Sequence, residues 1–134
     1  CSYQPIYSKQ DANKFEFKQI IINGDSQIGR KIVDLTSIKK TDSSSNSKEI
    51  SIESIFNIEG TSKNSKGEIA TYRSTLTVNL LIKNRDMIKK RTFIKDFNYS
   101  TEENKFDLVK KQNEIKNNII EKITEEIILY INLE

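Results

Sequence analysis

The chain has 134 residues and a formal net charge of +3, from 22 Lys and Arg against 19 Asp and Glu. That is the length of one domain, and the charge is too slight to imply nucleic-acid binding by bulk electrostatics. Hydrophobic residues make up 35%, isoleucine being the commonest, with 4 Gly and 1 Pro, which favours strands and helices and excludes collagen-like and Pro-rich chains.

The first residue is Cys1, the one cysteine of the chain, so an internal disulfide cannot form. A chain that starts at cysteine rather than methionine fits cleavage of a secretion signal just before a thiol that then carries a diacylglycerol. The alternative is an ordinary cysteine beside an arbitrary chain boundary. No apolar run approaches the roughly 20 residues that span a bilayer as a helix, so membrane contact is expected to be peripheral or through such an anchor. Stable anchoring takes at least two acyl chains, which a multiply acylated Cys1 supplies.

The polar, aperiodic stretch that follows makes residues 1–14 a lipid-anchored tether, with a single domain over 15–134. Phe15, Phe17, Ile20, Ile21 and Ile22 read as a first strand whose alternation slips between Phe17 and Ile20. After Asn23-Gly24, Asp25 or Ser26 can cap a helix over about 26–40, with Ile28, Ile32, Leu35 and Ile38 on one stripe. A loop rich in Ser, Asp and Asn covers 41–47. Ile50, Ile52, Phe56 and Ile58 then alternate with polar residues, as do Tyr72, Leu76, Val78, Leu80 and Ile82, so the two segments predict a β-hairpin. A turn at Asn84-Arg85-Asp86 leads into a fourth strand from Met87 to Tyr99, in which Phe93, Phe97 and Tyr99 share a parity that Ile88 and Ile94 do not. Ser100 and Glu103 fit a capping box. A helix of about 30 residues follows, with Phe106, Val109, Ile120, Ile123, Ile127 and Ile131 on its apolar stripe and Asn113 and Lys116 interrupting it.

The order is β-α-β-β-β-α. It predicts an α+β, two-layer sandwich: a four-stranded, mostly antiparallel sheet covered on one face by two helices.

Catalysis is not expected. With no histidine, neither Ser-His-Asp nor Cys-His arrangements nor most zinc sites can be built. The pairs Glu102-Glu103 and Glu125-Glu126 are neighbours that diverge on a helix, and the isolated glycines make no phosphate-cradling loop. No cofactor or metal is implied. One charge feature stands out: Lys83, Arg85, Lys89, Lys90, Arg91 and Lys95 surround the fourth-strand turn with only Asp86 against them. Several of these cations can converge on the phosphates of an anionic glycolipid, with Met87 and Ile88 beside its acyl chains. The alternative is a set of solvated lysines that protect an edge strand from pairing.

Cys1-Ser2-Tyr3-Gln4-Pro5-Ile6-Tyr7 resembles the Cys-Gly-Phe-x-Pro-Leu-Tyr opening of the LPS-assembly lipoprotein family, LptE, from which Ser2 and Ile6 depart conservatively. The element order is similar to that family's two-helix, four-strand sandwich. The resemblance implies an outer-membrane lipoprotein, acylated at Cys1 on the periplasmic side, that plugs an LptD-like β-barrel and assists lipopolysaccharide transport. Lys83, Arg85, Lys89, Lys90 and Arg91 are the candidate lipopolysaccharide-binding residues, and no nucleic-acid partner is expected. A different periplasmic adaptor lipoprotein, of the transporter-accessory or secretin-pilot type, is the alternative.

Overall fold

The computed structural model describes residues 12–42 and 47–133. Cys1 and most of the tether lie outside the described residues, as does the middle of the 41–47 loop. The chain enters through a short 3-10 helix, Ala12–Phe15, and continues as β1 (Glu16–Phe17), β2 (Gln19–Gly24), α1 (Ser26–Thr36), β3 (Lys39–Lys40), β4 (Lys48–Lys63), β5 (Ile69–Asn84), β6 (Met87–Ser100) and α2 (Lys105–Asn132). β2, β4, β5 and β6 form one sheet in that order. β2 runs parallel to β4, with α1 in the connection, and the other pairs are antiparallel. This is the α+β sandwich with a mostly antiparallel sheet expected from the pattern.

Alternation decides which face of the sheet is covered. Ile50 and Ile52 of β4, Leu76, Val78, Leu80 and Ile82 of β5, and Phe93 and Tyr99 of β6 are buried and share the face that meets the helices. α1 contributes Ile28 and Ile32, and α2 contributes Ile115, Ile119, Ile120, Ile123, Ile127, Ile128 and Ile131. Each such isoleucine contributes about 1.5–3 kcal/mol on full burial. The register pairs Val78 with Phe93 and Tyr72 with Tyr99, which fixes β6. In that register the Tyr99 hydroxyl and the buried Ser74 hydroxyl share a hydrogen bond of 2.8 Å, and the Tyr72 and Tyr99 rings stack at 5.8 Å.

Four local expectations change. The predicted first strand is split at Lys18: Glu16 and Phe17 pair with Lys39 and Lys40 in a separate two-stranded parallel ribbon, and only Gln19 onward joins the main sheet. The slip in alternation marks this break. Helix α1 ends at Thr36, earlier than expected, because Ser37 adopts a left-handed conformation (φ 62°), freeing Ile38 to be buried outside the helix. The cap of α2 is Asn104, whose side chain accepts from the Phe106 N–H at 2.7 Å, and not Ser100 with Glu103. Ser100 is still in β6, opposite Thr71, and Thr101 N–H donates to Ala70, so pairing with β5 outcompetes an earlier helix start. Finally, Phe106 and Val109 are exposed. The buried stripe of α2 begins only at Ile115.

Candidate functional site

The β5–β6 turn is as short as an antiparallel hairpin allows, since Asn84 pairs directly with Met87 and leaves Arg85 and Asp86 to reverse the chain. Arg85 takes φ 58°, the left-handed value such turns demand. The five candidate cations are therefore distributed by strand alternation. Lys83, opposite Ile88, and Lys90, opposite Leu81, belong to the face away from the helices. Lys89, opposite Ile82, and Arg91, opposite Leu80, belong to the helix-covered face, and Arg85 stands in the turn. The hairpin brings the five to one end of the molecule but does not converge them on one point.

Arg91 is held by aromatic rings. Its guanidinium lies 5.4 Å from the Phe93 ring centroid and 5.4 Å from that of Tyr130, and the two rings meet edge to face at 6.0 Å. Lys89 has a different setting. It lines a cavity of about 240 Å³ together with Lys14, Phe17, Lys48, Ile82, Asn84, Met87 and Ile131. Lys14 Nζ donates to the Asn132 carbonyl at 2.6 Å, at the end of α2, and Lys48 Nζ lies 5.0 Å over the Phe17 ring while also donating to the Lys14 carbonyl at 3.4 Å. Three lysines from distant parts of the chain thus line one cavity with Phe17, Ile82, Met87 and Ile131. Lysines beside apolar side chains in one cavity suit an anionic amphiphile, its acidic head on the lysines and its first methylenes on the apolar lining. Lys14 and Lys48 carry no local signal of this role, since the fold alone unites them with Lys89.

The sheet face away from the helices is covered by no other element among the described residues. It carries a polar ladder, in which Asn79 Nδ2 donates to Glu53 Oε1 at 2.9 Å and Thr92 Oγ1 donates to Asn79 Oδ1 at 2.7 Å. Arg73 bridges Glu59 at 3.1 Å and Asn98 at 3.0 Å. Between these rows Ile55 and Ile94 are exposed on either side of Thr77. No described helix is long and apolar enough to cross a membrane, and among the described residues no three acidic or thiol side chains gather as a metal site.

No protein-family model and no curated protein sequence matches the chain. Solved structures do. The rare lipoprotein B of Shewanella oneidensis superposes with a TM-score of 0.64 at 10% identity, covering 84% of this chain and 92% of that one. The fold is one that bacterial lipoproteins share. The minor lipoprotein of Acinetobacter baumannii matches with a TM-score of 0.59 at 12% identity, over 87% of this chain and 94% of that one. An uncharacterized lipoprotein B of Nitrosomonas europaea matches with a TM-score of 0.56 at 11% identity, over 98% and 91%. At such identities the likeness is one of fold. It covers at least 84% of this chain and at least 91% of the other in each comparison.

Proposed function

We propose that the chain is a non-catalytic lipoprotein of the outer membrane, acylated at Cys1 on the periplasmic side, that plugs an LptD-like β-barrel and assists lipopolysaccharide transport to the outer leaflet. The observation that supports this reading most is the lipoprotein fold, spanning 84% or more of the chain in the comparisons above. The Cys1–Tyr7 opening adds the specific resemblance to LptE. The physics is compatible: the open sheet face, a polar ladder with isolated isoleucines, matches the polar interior of a wide barrel better than it matches lipid. The cavity lined by Lys14, Lys48 and Lys89 suits a lipid phosphate, which accepts several charge-assisted hydrogen bonds at once.

Photo-crosslinking residues at Ile55 and Ile94, in the full chain in its native host, test the partner. Adducts with an outer-membrane β-barrel are expected. Adducts with an inner-membrane transporter or a secretin would replace this reading with the adaptor alternative. For the glycolipid, Lys89→Glu with Lys90→Glu should weaken lipopolysaccharide binding at least tenfold, and unchanged binding would remove the hairpin from the site.

A further inference from the structure

The positive charge is gathered at one pole of the folded domain. Lys48 opens β4 opposite Asn84, Lys83 is next to last in β5, and Lys89 and Lys90 are among the first, turn-proximal residues of β6, so the strand ends bring these cations together around the turn that carries Arg85. Lys14 joins them through the shared cavity and its bond to the end of α2. Only Glu49 and Asp86 oppose them on these strand ends and in the turn. At the other pole, where the β4–β5 turn lies, β6 ends and α2 begins, Glu68, Glu102, Glu103 and Asp107 oppose Lys63, Lys66, Lys105, Lys110 and Lys111. The hairpin tip adds a second feature. Met87 is 63% and Ile88 57% exposed, two apolar side chains on opposite faces of the hairpin tip among cations. Water disfavours such a pair, whereas the boundary between headgroups and acyl chains accommodates it with cations at phosphate level. Lys14, in the short 3-10 helix Ala12–Phe15, belongs to this same pole.

We infer that this pole docks on an anionic phospholipid bilayer, with Met87 and Ile88 entering the headgroup boundary and Lys83, Arg85 and Lys90 on lipid phosphates around them. The long strands then stand steeply on the membrane, since their ends form the contact. The inference goes beyond the proposed function, because it uses neither Cys1 acylation nor a barrel nor lipopolysaccharide. Each cation at an anionic surface is worth about fivefold in partitioning, and the attraction is screened over a Debye length of about 8 Å at physiological salt.

The test uses the full chain with Cys1→Ser, so that no acyl group is present, and vesicles free of lipopolysaccharide. Sedimentation with phosphatidylcholine vesicles is compared with sedimentation with vesicles that also contain phosphatidylglycerol. Binding to the anionic vesicles alone, falling as salt rises, is expected. Lys83→Gln, Arg85→Gln and Lys90→Gln combined should lower that partitioning about a hundredfold, and Met87→Ser with Ile88→Ser at least tenfold. Lys105→Gln with Lys110→Gln at the opposite pole should change it little. Equal binding to both vesicle types, no binding to either, or equal losses from variants at the two poles would overturn the inference. The vesicle comparison with unaltered hairpin residues stands whether or not any variant folds.

Discussion

Gly24→Ala should be among the most damaging single-methyl additions in this protein. Gly24 closes β2 at φ 71°, where an L-residue costs about 1–2 kcal/mol. Its added Cβ would also run into the Ser54 carbonyl oxygen, a backbone atom of the neighbouring strand that cannot rotate away. Relief requires β2 and β4 to part at this end, and with them the 2.8 Å bond from Asp25 N–H to the same oxygen, worth about 1 kcal/mol net. The expected loss is about 3 kcal/mol, or a Tm lower by roughly 10 °C for a domain of this size. Gly67→Ala is the internal control. Gly67 has φ 81°, but nothing lies within 4 Å of its added Cβ, so the conformational cost stands alone at about 1 kcal/mol once the stiffer unfolded chain is allowed for. Urea and thermal unfolding followed by circular dichroism read both. Equal losses from the two substitutions would refute the argument that the β2–β4 approach carries the difference.

Asn104→Ala should destabilise by about 1 kcal/mol through loss of the α2 cap, whereas Ser100→Ala should cost under about 0.5 kcal/mol; denaturant midpoints of the two variants decide between the observed cap and the capping box. Ser74→Ala and Tyr99→Phe each leave one buried hydroxyl without its 2.8 Å partner and should cost about 1–2 kcal/mol, while the double variant should cost less than the sum. Ser54→Ala should hold or raise stability by up to about 1 kcal/mol, because the buried Ser54 hydroxyl makes no hydrogen bond among the described residues; a clear drop in the urea midpoint would contradict this.

The hydropathy pattern was most informative where period and burial coincide. β4 and β5 read directly from their alternation, because one face of each is sealed by helices and the other is open, whereas the parity shared by Phe93, Phe97 and Tyr99 left the register of β6 open until the pairing with β5 turned Phe93 and Tyr99 inward. Phe97 shows the limit of parity. It points the same way as Phe93 but is 53% exposed, because the helix layer does not cover its side chain as it covers Phe93. For the same reason Phe106 and Val109 belong to the apolar stripe of α2 by spacing and lie outside the core by position. The end of α1 was hidden because Ile38 keeps the helical spacing although Ser37 has already broken the helix. The basic hairpin was legible as a cluster in sequence. Its division between two faces follows from the two-residue period of β6, and the convergence of Lys14 and Lys48 on Lys89 depends on contacts between segments far apart in the chain.

The central proposal is that Cys1 anchors this domain in a membrane. Intact-mass spectrometry of the mature protein, extracted from its native host without reduction or hydrolysis, addresses it directly. The expected result is a mass exceeding that of the 134-residue chain by a diacylglycerol and an additional acyl group, with both assigned to Cys1 by fragmentation. A native molecule with a bare Cys1 thiol and an unmodified mass would contradict the proposal, whatever its fold resembles.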